Sequence, residues 1–377
     1  MKVIIIGAST PGLFAAYLLA REGVEVEVYE RAHALRGLQR TLIVTDKLKD
    51  VLGFAPDEAI LNEVRYVEMF SKSRSTRLEL ERPDLIVERE NLVRLLARLA
   101  EAAGARVLLG HRFLAFVRLG NKIAVELSTH RAAPPVYASA DILVGADGTF
   151  SAVARAASRN GHHHTALIQA KVELPAHVNR HTYQVWFDPG RTKYFYWLIP
   201  ESEQVAAVGL IADDARQAGD NLKLFLQERG LQPLDYQAAM VPMHRFGYGA
   251  SISSIERNVF LIGDAAAQVK LTTVGGVVTG LRGAQALAET VLNKPTARRA
   301  VRALKRELDL HLFLRRLLDQ FSDADYDRLI DWLDGDLSRL LSTRTRDELA
   351  HTFVKLIIAE PRLVGLGAKA LLRAIRV

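Results

Sequence analysis

MKVIIIGASTPGLFAAYLLAREGVEVEVYER, residues 1–31, decides how the rest of the chain is read. Val3 to Ile6 are four apolar residues in a row, the pattern of a short buried strand. Gly7 and Gly12 frame a tight turn, and Leu13 to Arg21 carries apolar residues at helical spacing. Gly23 stops that helix, and Val24 to Tyr29 alternates apolar with acidic residues as a second strand ending at Glu30 and Arg31. A strand, glycine turn, helix, strand and acid in this order form a βαβ unit. The free amides at the helix start and the positive end of its dipole face an anion, and the acid lies about 20 residues on, where a dinucleotide's ribose is bound. Ser9 occupies the middle glycine position of G-x-G-x-x-G. Its β-carbon points into pyrophosphate space, and its hydroxyl is able to donate to a phosphate.

Composition narrows the function. A chain of 377 residues exceeds what one core usually supports, so two domains or a large insertion is expected. There is no cysteine, which excludes disulfides, thiolate metal sites and cysteine redox chemistry, so electron chemistry requires a bound cofactor. The net charge of +7 is spread along the chain without a nucleic-acid motif, which favours solubility and attraction to anionic ligands or membranes over nucleic acid. No apolar run is long enough for a membrane span, and the first strand begins at Val3 without a leader. The expected location is the cytoplasm, with the inner membrane face as the alternative.

Further along, Glu88 to Ala103 reads as a helix with Leu92, Leu95, Leu96 and Leu99 on one face, and Gly120-Asn121 joins a hairpin of Phe113–Leu119 and Ile123–Leu127. Asp141 to Gly148, DILVGADG, resumes the strand and glycine-turn pattern. Residues 166–211 are strand-like, Asn258 to Ala288 returns to a strand, a Gly-Asp turn and a helix, and the chain after Pro295 is helical. The expected division is a discontinuous nucleotide-binding domain (1–53, 84–160, 250–294), a β-sheet domain facing the substrate (54–83, 161–249) and a helical region (295–377).

Three ordered glycine-acid turns are more specific than any one. GASTPG with Glu30, then Gly145-Ala146-Asp147-Gly148, then Gly263-Asp264 in GDAAAQVKLTTVGG resemble the flavoproteins of the p-hydroxybenzoate hydroxylase fold over the whole chain. The third turn is most similar to the geranylgeranyl reductase family, whose motif reads Gly-Asp-Ala-Ala-Gly-x-Val-Lys-Pro-Thr-Thr-Gly-Gly-Gly. The resemblance implies an α/β fold with a Rossmann-type FAD-binding domain, an inserted, largely antiparallel substrate domain and a helical C-terminal region. It implies an FAD-dependent oxidoreductase that reduces carbon-carbon double bonds of a small apolar, isoprenoid-like substrate, with NAD(P)H or another electron donor. It places Gly7, Ser9 and Gly12 on the pyrophosphate, Glu30 and the adjoining Arg31 at the adenosine, Asp147 and Gly148 near the pyrophosphate, and Gly263 with Asp264 at the ribityl chain. Val274, Gly275 and Gly276 would meet the flavin pyrimidine edge, where a helix start stabilises the reduced form's charge. Lys270 would add charge there.

A second family mark is an aromatic-x-Trp-x-Phe-Pro strand, matched by Phe195, Trp197, Ile199 and Pro200. By strand period the first three share one face, which is either the wall of a substrate cavity or the inner face of a sheet. The family's cysteine-glycine-glycine segment is absent, with Arg36-Gly37 and Arg40 in that region, Leu271 replaces a proline, and Arg155 falls one residue late in the Asp-Gly motif. Aromatic monooxygenases of this fold place histidine and proline where Gln268 and Leu271 stand, so the weight falls on reduction, with NAD(P)H- and oxygen-dependent hydroxylation as the alternative. A halogenase and a flavin-less scaffold are more distant. Tyr183, His244 and Tyr248 are candidate proton donors, with His181 beside them, while His162 to His164 reads as a loop and not a metal site. Finally, Pro361 to Val377 places Arg362, Lys369, Arg373 and Arg376 on one side of a helix and Val364, Ala368, Leu371, Leu372 and Ile375 on the other. This fits either peripheral membrane contact or a terminal helix packed on its own domain with its charges in water.

Overall fold

A computed structural model of the chain describes residues 1–35, 39–129, 134–158, 163–246, 258–333, 336–343 and 347–375. Tyr248, Arg36, Gly37, His162 and Arg376 lie outside the described residues. Five strands of the first domain form one parallel sheet, in the order Val259–Leu261, Ile142–Gly145, Lys2–Ile6, Glu25–Glu30, Arg106–Leu109. Because side chains alternate, Val3 and Ile5 point to one face and Ile4 and Ile6 to the other. The first face is covered by helices Thr10–Ala20, Arg89–Ala102 and Val277–Val291, and the second by a three-stranded sheet of Arg112–Leu119, Lys122–Ser128 and Val136–Ala140. Both faces being covered explains why Lys2–Ile6, Ile142–Gly145 and Val259–Leu261 are near-continuous apolar runs, whereas Glu25–Glu30, nearer the sheet edge, alternates.

An eight-stranded sheet forms the second layer system, running Pro233–Pro242, His164–Glu173, Val205–Ala212, Tyr196–Pro200, Thr182–Trp186, Ile60–Phe70, Ser75–Glu88, Thr41–Val44. All neighbours are antiparallel except Thr182–Trp186 and Ile60–Phe70. Thr41–Val44, grouped above with the first domain, pairs here, and Ser75–Glu88 runs as one strand across the division placed at residue 84. Helix Ala215–Glu228 was not anticipated from the sequence. Asp214 caps its N-terminus, and Ala218, Leu222, Phe225 and Leu226 pack on the sheet face carrying Tyr196, Leu198, Val208 and Leu210. That leaves the face carrying Tyr183, Phe195, Trp197 and Ile199 turned toward the nucleotide domain. The chain closes with Ala297–Leu318, Asp323–Asp331, Asp336–Ser342, Leu349–Ala359 and Arg362–Ile375, all helical. No described helix is long and apolar enough to cross a membrane.

Candidate functional site

The cleft between the two sheets is walled by three of the sequence motifs at once. Ser9, Thr10 and Pro11 from the first turn, Ala146 and Gly148 from the second, and Gly263, Asp264, Lys270 and Thr273 to Val278 from the third line one side. Leu167, Gln169, Tyr183, Val185, Phe195, Trp197, Ile199, Ile211 and Val241 line the other. Counting its open mouth, the space is about 1500 Å³. The Phe195, Trp197, Ile199 face lines the cleft, while the opposite face of that sheet is packed under helix Ala215–Glu228.

The first turn is a close-packed joint. Gly7 has φ +102°, and a β-carbon on Gly12 would stand 2.4 Å from the Gly7 carbonyl oxygen and 2.9 Å from the Ala146 β-carbon. Ser9 is the N-cap of helix Thr10–Ala20: its hydroxyl accepts from the Gly12 N–H at 3.3 Å and donates to the Ala146 carbonyl at 2.8 Å. In this structure the one hydroxyl proton is directed to the Ala146 carbonyl. Ser9→Ala is accordingly expected to lower stability by about 1 kcal/mol in thermal or denaturant unfolding while leaving FAD affinity within about twofold. A tenfold loss of affinity at unchanged stability would favour the phosphate role. Glu30 accepts from the Ala8 and Ala32 N–H groups, both at 2.9 Å, so it braces the turn from the second strand. Asp147 likewise accepts from Ser151 Oγ and from the Ala152 and Val153 amides, capping the short helix Ala152–Ala156 and leaving Gly148 to line the cleft. Neither Glu30 nor the exposed Arg31 lines the cleft wall.

The third turn is built around Asp264. Burial pushes its carboxyl up, opposed by the Arg40 and Arg89 guanidinium groups. Arg40 is itself pushed down to about 10 by burial and by Arg89, so it stays cationic at neutral pH, and its Nε is buried without a partner. Gly263 has φ +63° and abuts Pro11, and Gly276 lies so close that a β-carbon would stand 3.3 Å from Asp264 Oδ1. Gly276 is also the N-cap of helix Val277–Val291, whose first amides open on the cleft with no acid in the first turn. Val274 holds φ +51°, a left-handed conformation costing a β-branched residue about 1–3 kcal/mol. Its side chain packs with Tyr183, Trp197 and Ile199, joining the loop to the opposite wall.

Two candidates are placed differently from expectation. His244 lies outside the cleft lining: its Nε2 meets Asp309 Oδ1 at 2.9 Å under helix Ala297–Leu318, and burial holds its imidazole below the usual value. Lys270 lines the cleft but is paired with the buried Asp347, which Thr45 also reaches. Arg40, Arg89, Gln169 and Asp347 are cleft residues that the motifs did not single out. The site suits a dinucleotide flavin on its own geometry: two helix starts aimed at one cleft, glycines where side chains would collide, and an unpartnered buried guanidinium Nε beside them.

Residues 1–304 match the family described as FAD binding domain. A digeranylgeranylglycerophospholipid reductase of Methanothrix thermoacetophila is 25% identical over 372 residues, covering 90% of this chain and 93% of that one. Digeranylgeranylglycerophospholipid reductase 1 of Methanopyrus kandleri is 27% identical over 335 residues, covering 85% and 86%. The crystal structure of a geranylgeranyl bacteriochlorophyll reductase-like protein from Thermoplasma acidophilum has a TM-score of 0.74 at 18% identity, covering 97% of this chain and 98% of that one. The overall architecture is shared end to end.

Proposed function

Because this chain belongs to the FAD binding domain family and is an FAD-dependent oxidoreductase, we propose that it reduces carbon-carbon double bonds of an isoprenoid chain lodged against the Phe195, Trp197, Ile199 wall. The observation that carries this reading is the apolar wall facing the third glycine turn across one cleft. FAD, when bound, supplies hydride from its N5 atom. The chain's own residues hold and shape: the Ser9–Gly12 turn, Arg40, Asp264, Gly275 and Gly276 would hold the cofactor, and the Val277 helix start offers amides to negative charge. Leu167, Tyr183, Val185, Phe195, Trp197 and Ile199 exclude water and align an apolar chain. Tyr183, the one phenol among the described lining residues, would protonate the second carbon.

Hydroxylation gains nothing from the geometry. Gln268, where hydroxylases have histidine, turns inward to accept from the Gly263 N–H at 2.7 Å, and Leu271 is buried, so neither lines the cleft. We also assign the Pro361 to Val377 region a contact with the membrane that stores such a substrate.

The test is anaerobic single turnover of dithionite-reduced holoenzyme against prenyl and phenol substrates, which removes dependence on the natural electron donor. Oxidation of the flavin with a saturated prenyl product is expected. No flavin oxidation by any prenyl substrate, followed by phenol hydroxylation once oxygen is admitted, would overturn the reading. Tyr183→Phe should lower the rate about a hundredfold with unchanged FAD content; an unchanged rate would move the proton source elsewhere.

A further inference from the structure

Helix Arg362–Ile375 departs from a simple cation-outward amphipathic helix: it exposes aliphatic side chains as well as cations, and two of its cations reach back to one buried acid. Lys369 Nζ and Arg373 Nη1 reach the buried carboxylate of Asp325, at 3.0 Å and 2.5 Å, and Arg328 joins them at 3.2 Å. Burial acts to raise that carboxyl, but hydrogen bonds from Arg373, Ser322 and Lys369 hold it well below the usual carboxylate range. Leu366 and Ala370 are buried against the protein, Lys369 and Arg373 lean onto Asp325 from partly exposed positions, Arg362 stays in water beside Glu360, and Val364, Leu371 and Leu372 face solvent as well. The preceding helix, Leu349–Ala359, also exposes large aliphatic side chains, with Ile358 72% and Val354 63% exposed. Val354 and Ile358 are one turn apart, and Val364, Leu371 and Leu372 share a face by helical period. Exposed rows of large aliphatic side chains on two successive helices are not the ordinary scatter of a soluble surface.

We propose that these two helices form a lipid-contact surface that enters the membrane by its aliphatic rows, with cations forming the rim. This rests on the prenyl-substrate reading above and adds the surface by which such a substrate is reached. Charge identifies the occupant. Residues 349–377 carry Lys355, Arg362, Lys369, Arg373 and Arg376 against the single acid Glu360, and three cations share one Asp325. A positive surplus around an aliphatic centre complements an anionic bilayer, whereas a second copy would bring the same positive surface against itself. Position supports it as well: helix Leu349–Ala359 begins two residues after Asp347, which lines the cleft, so Val354 lies within about two helical turns of the cavity wall.

The experiment is co-sedimentation of full-length holoenzyme with phosphatidylcholine vesicles and with vesicles containing phosphatidylglycerol, at low and high salt. Wild type should bind both, more tightly to the anionic ones, and high salt should weaken but not abolish binding. Leu371→Asp with Leu372→Asp, and separately Ile358→Asp, should each cut partitioning by about tenfold or more, with flavin absorbance and circular dichroism unchanged because these side chains are exposed. Equal recovery of wild type and variants in the supernatant would overturn the proposal. So would binding that vanishes in high salt and ignores the aspartates, or a dimer in gel filtration that the aspartates dissociate. Turnover of detergent-dispersed prenyl substrate is measured on the same preparations: vesicle binding without turnover defeats the reductase reading alone, and turnover without vesicle binding defeats the surface alone.

Discussion

Gly12→Ala is expected to yield a protein that holds no flavin and is destabilised by about 3 kcal/mol, toward the upper end of what overpacking costs. The added methyl would lie 2.4 Å from the carbonyl oxygen of Gly7 and 2.9 Å from the β-carbon of Ala146. These residues directly follow two neighbouring strands of the parallel sheet, and Gly7 already accepts the constraint of φ +102° to make the turn. Nothing there is the free end of a flexible side chain, so the helix must lift from the sheet. Lifting moves the amides that face the cleft, which is why cofactor retention and stability fall together. Gly23→Ala supplies the control. It has φ +79° and no atom within 4 Å of its added methyl, so it should cost about 1 kcal/mol of backbone strain and keep its flavin. Absorbance of the purified proteins and urea unfolding measure both. Full flavin content in Gly12→Ala would show that the turn is not packed as described.

What the sequence disclosed and what it withheld follow from the range of the forces involved. The first turn was legible because its residues act on one another within a few positions: Ser9 caps Gly12, and Glu30 closes back on Ala8 across a short helix. The sheet wall was legible in period, but not in destination. Alternation placed Phe195, Trp197 and Ile199 together, and only helix Ala215–Glu228, packing on the other face, left them a cavity to line. Arg40 and Arg89 were missed because no local pattern marks them. They flank strands Thr41–Val44 and Ser75–Glu88, whose antiparallel register brings the Arg89 N–H to the Arg40 carbonyl at 3.2 Å. Pairing those two strands from their apolar runs would have put both arginines at one end of the cleft. The terminal helix shows the converse failure. Its amphipathic period was plain, yet which side faces inward depended on Asp325, 44 residues from Lys369 and invisible to any local window.

The second large effect is expected at Lys270 and Asp347. Their side chains are nearly sealed from water, with 7% and 2% exposed, and they pair inside the cleft while Thr45 holds the other carboxylate oxygen. Removing one partner leaves a buried charge without its counter-charge, so Asp347→Leu and Lys270→Met should each cost about 3–5 kcal/mol. Removing both together, as Lys270→Met with Asp347→Leu, replaces the pair with aliphatic volume and should recover most of that loss. A double-mutant cycle by urea unfolding of flavin-free protein then gives a coupling of about 3 kcal/mol. Asp347 lies outside the 1–304 segment that matches the FAD binding domain family, so the pair also fastens the helical C-terminal region to the third glycine turn. The electrostatic consequence is separate from the stability. A lysine paired with a carboxylate contributes little net charge, which leaves the Val277 helix start to face the anionic form of a reduced cofactor. Asp347→Asn keeps the volume and a polar contact for Thr45 but exposes the full Lys270 charge, so the midpoint potential of the bound flavin should rise relative to wild type. Additive single losses with no recovery in the double variant would show that the two groups do not act as a pair. An unchanged potential in Asp347→Asn would place Lys270 too far from the cofactor to affect its charge.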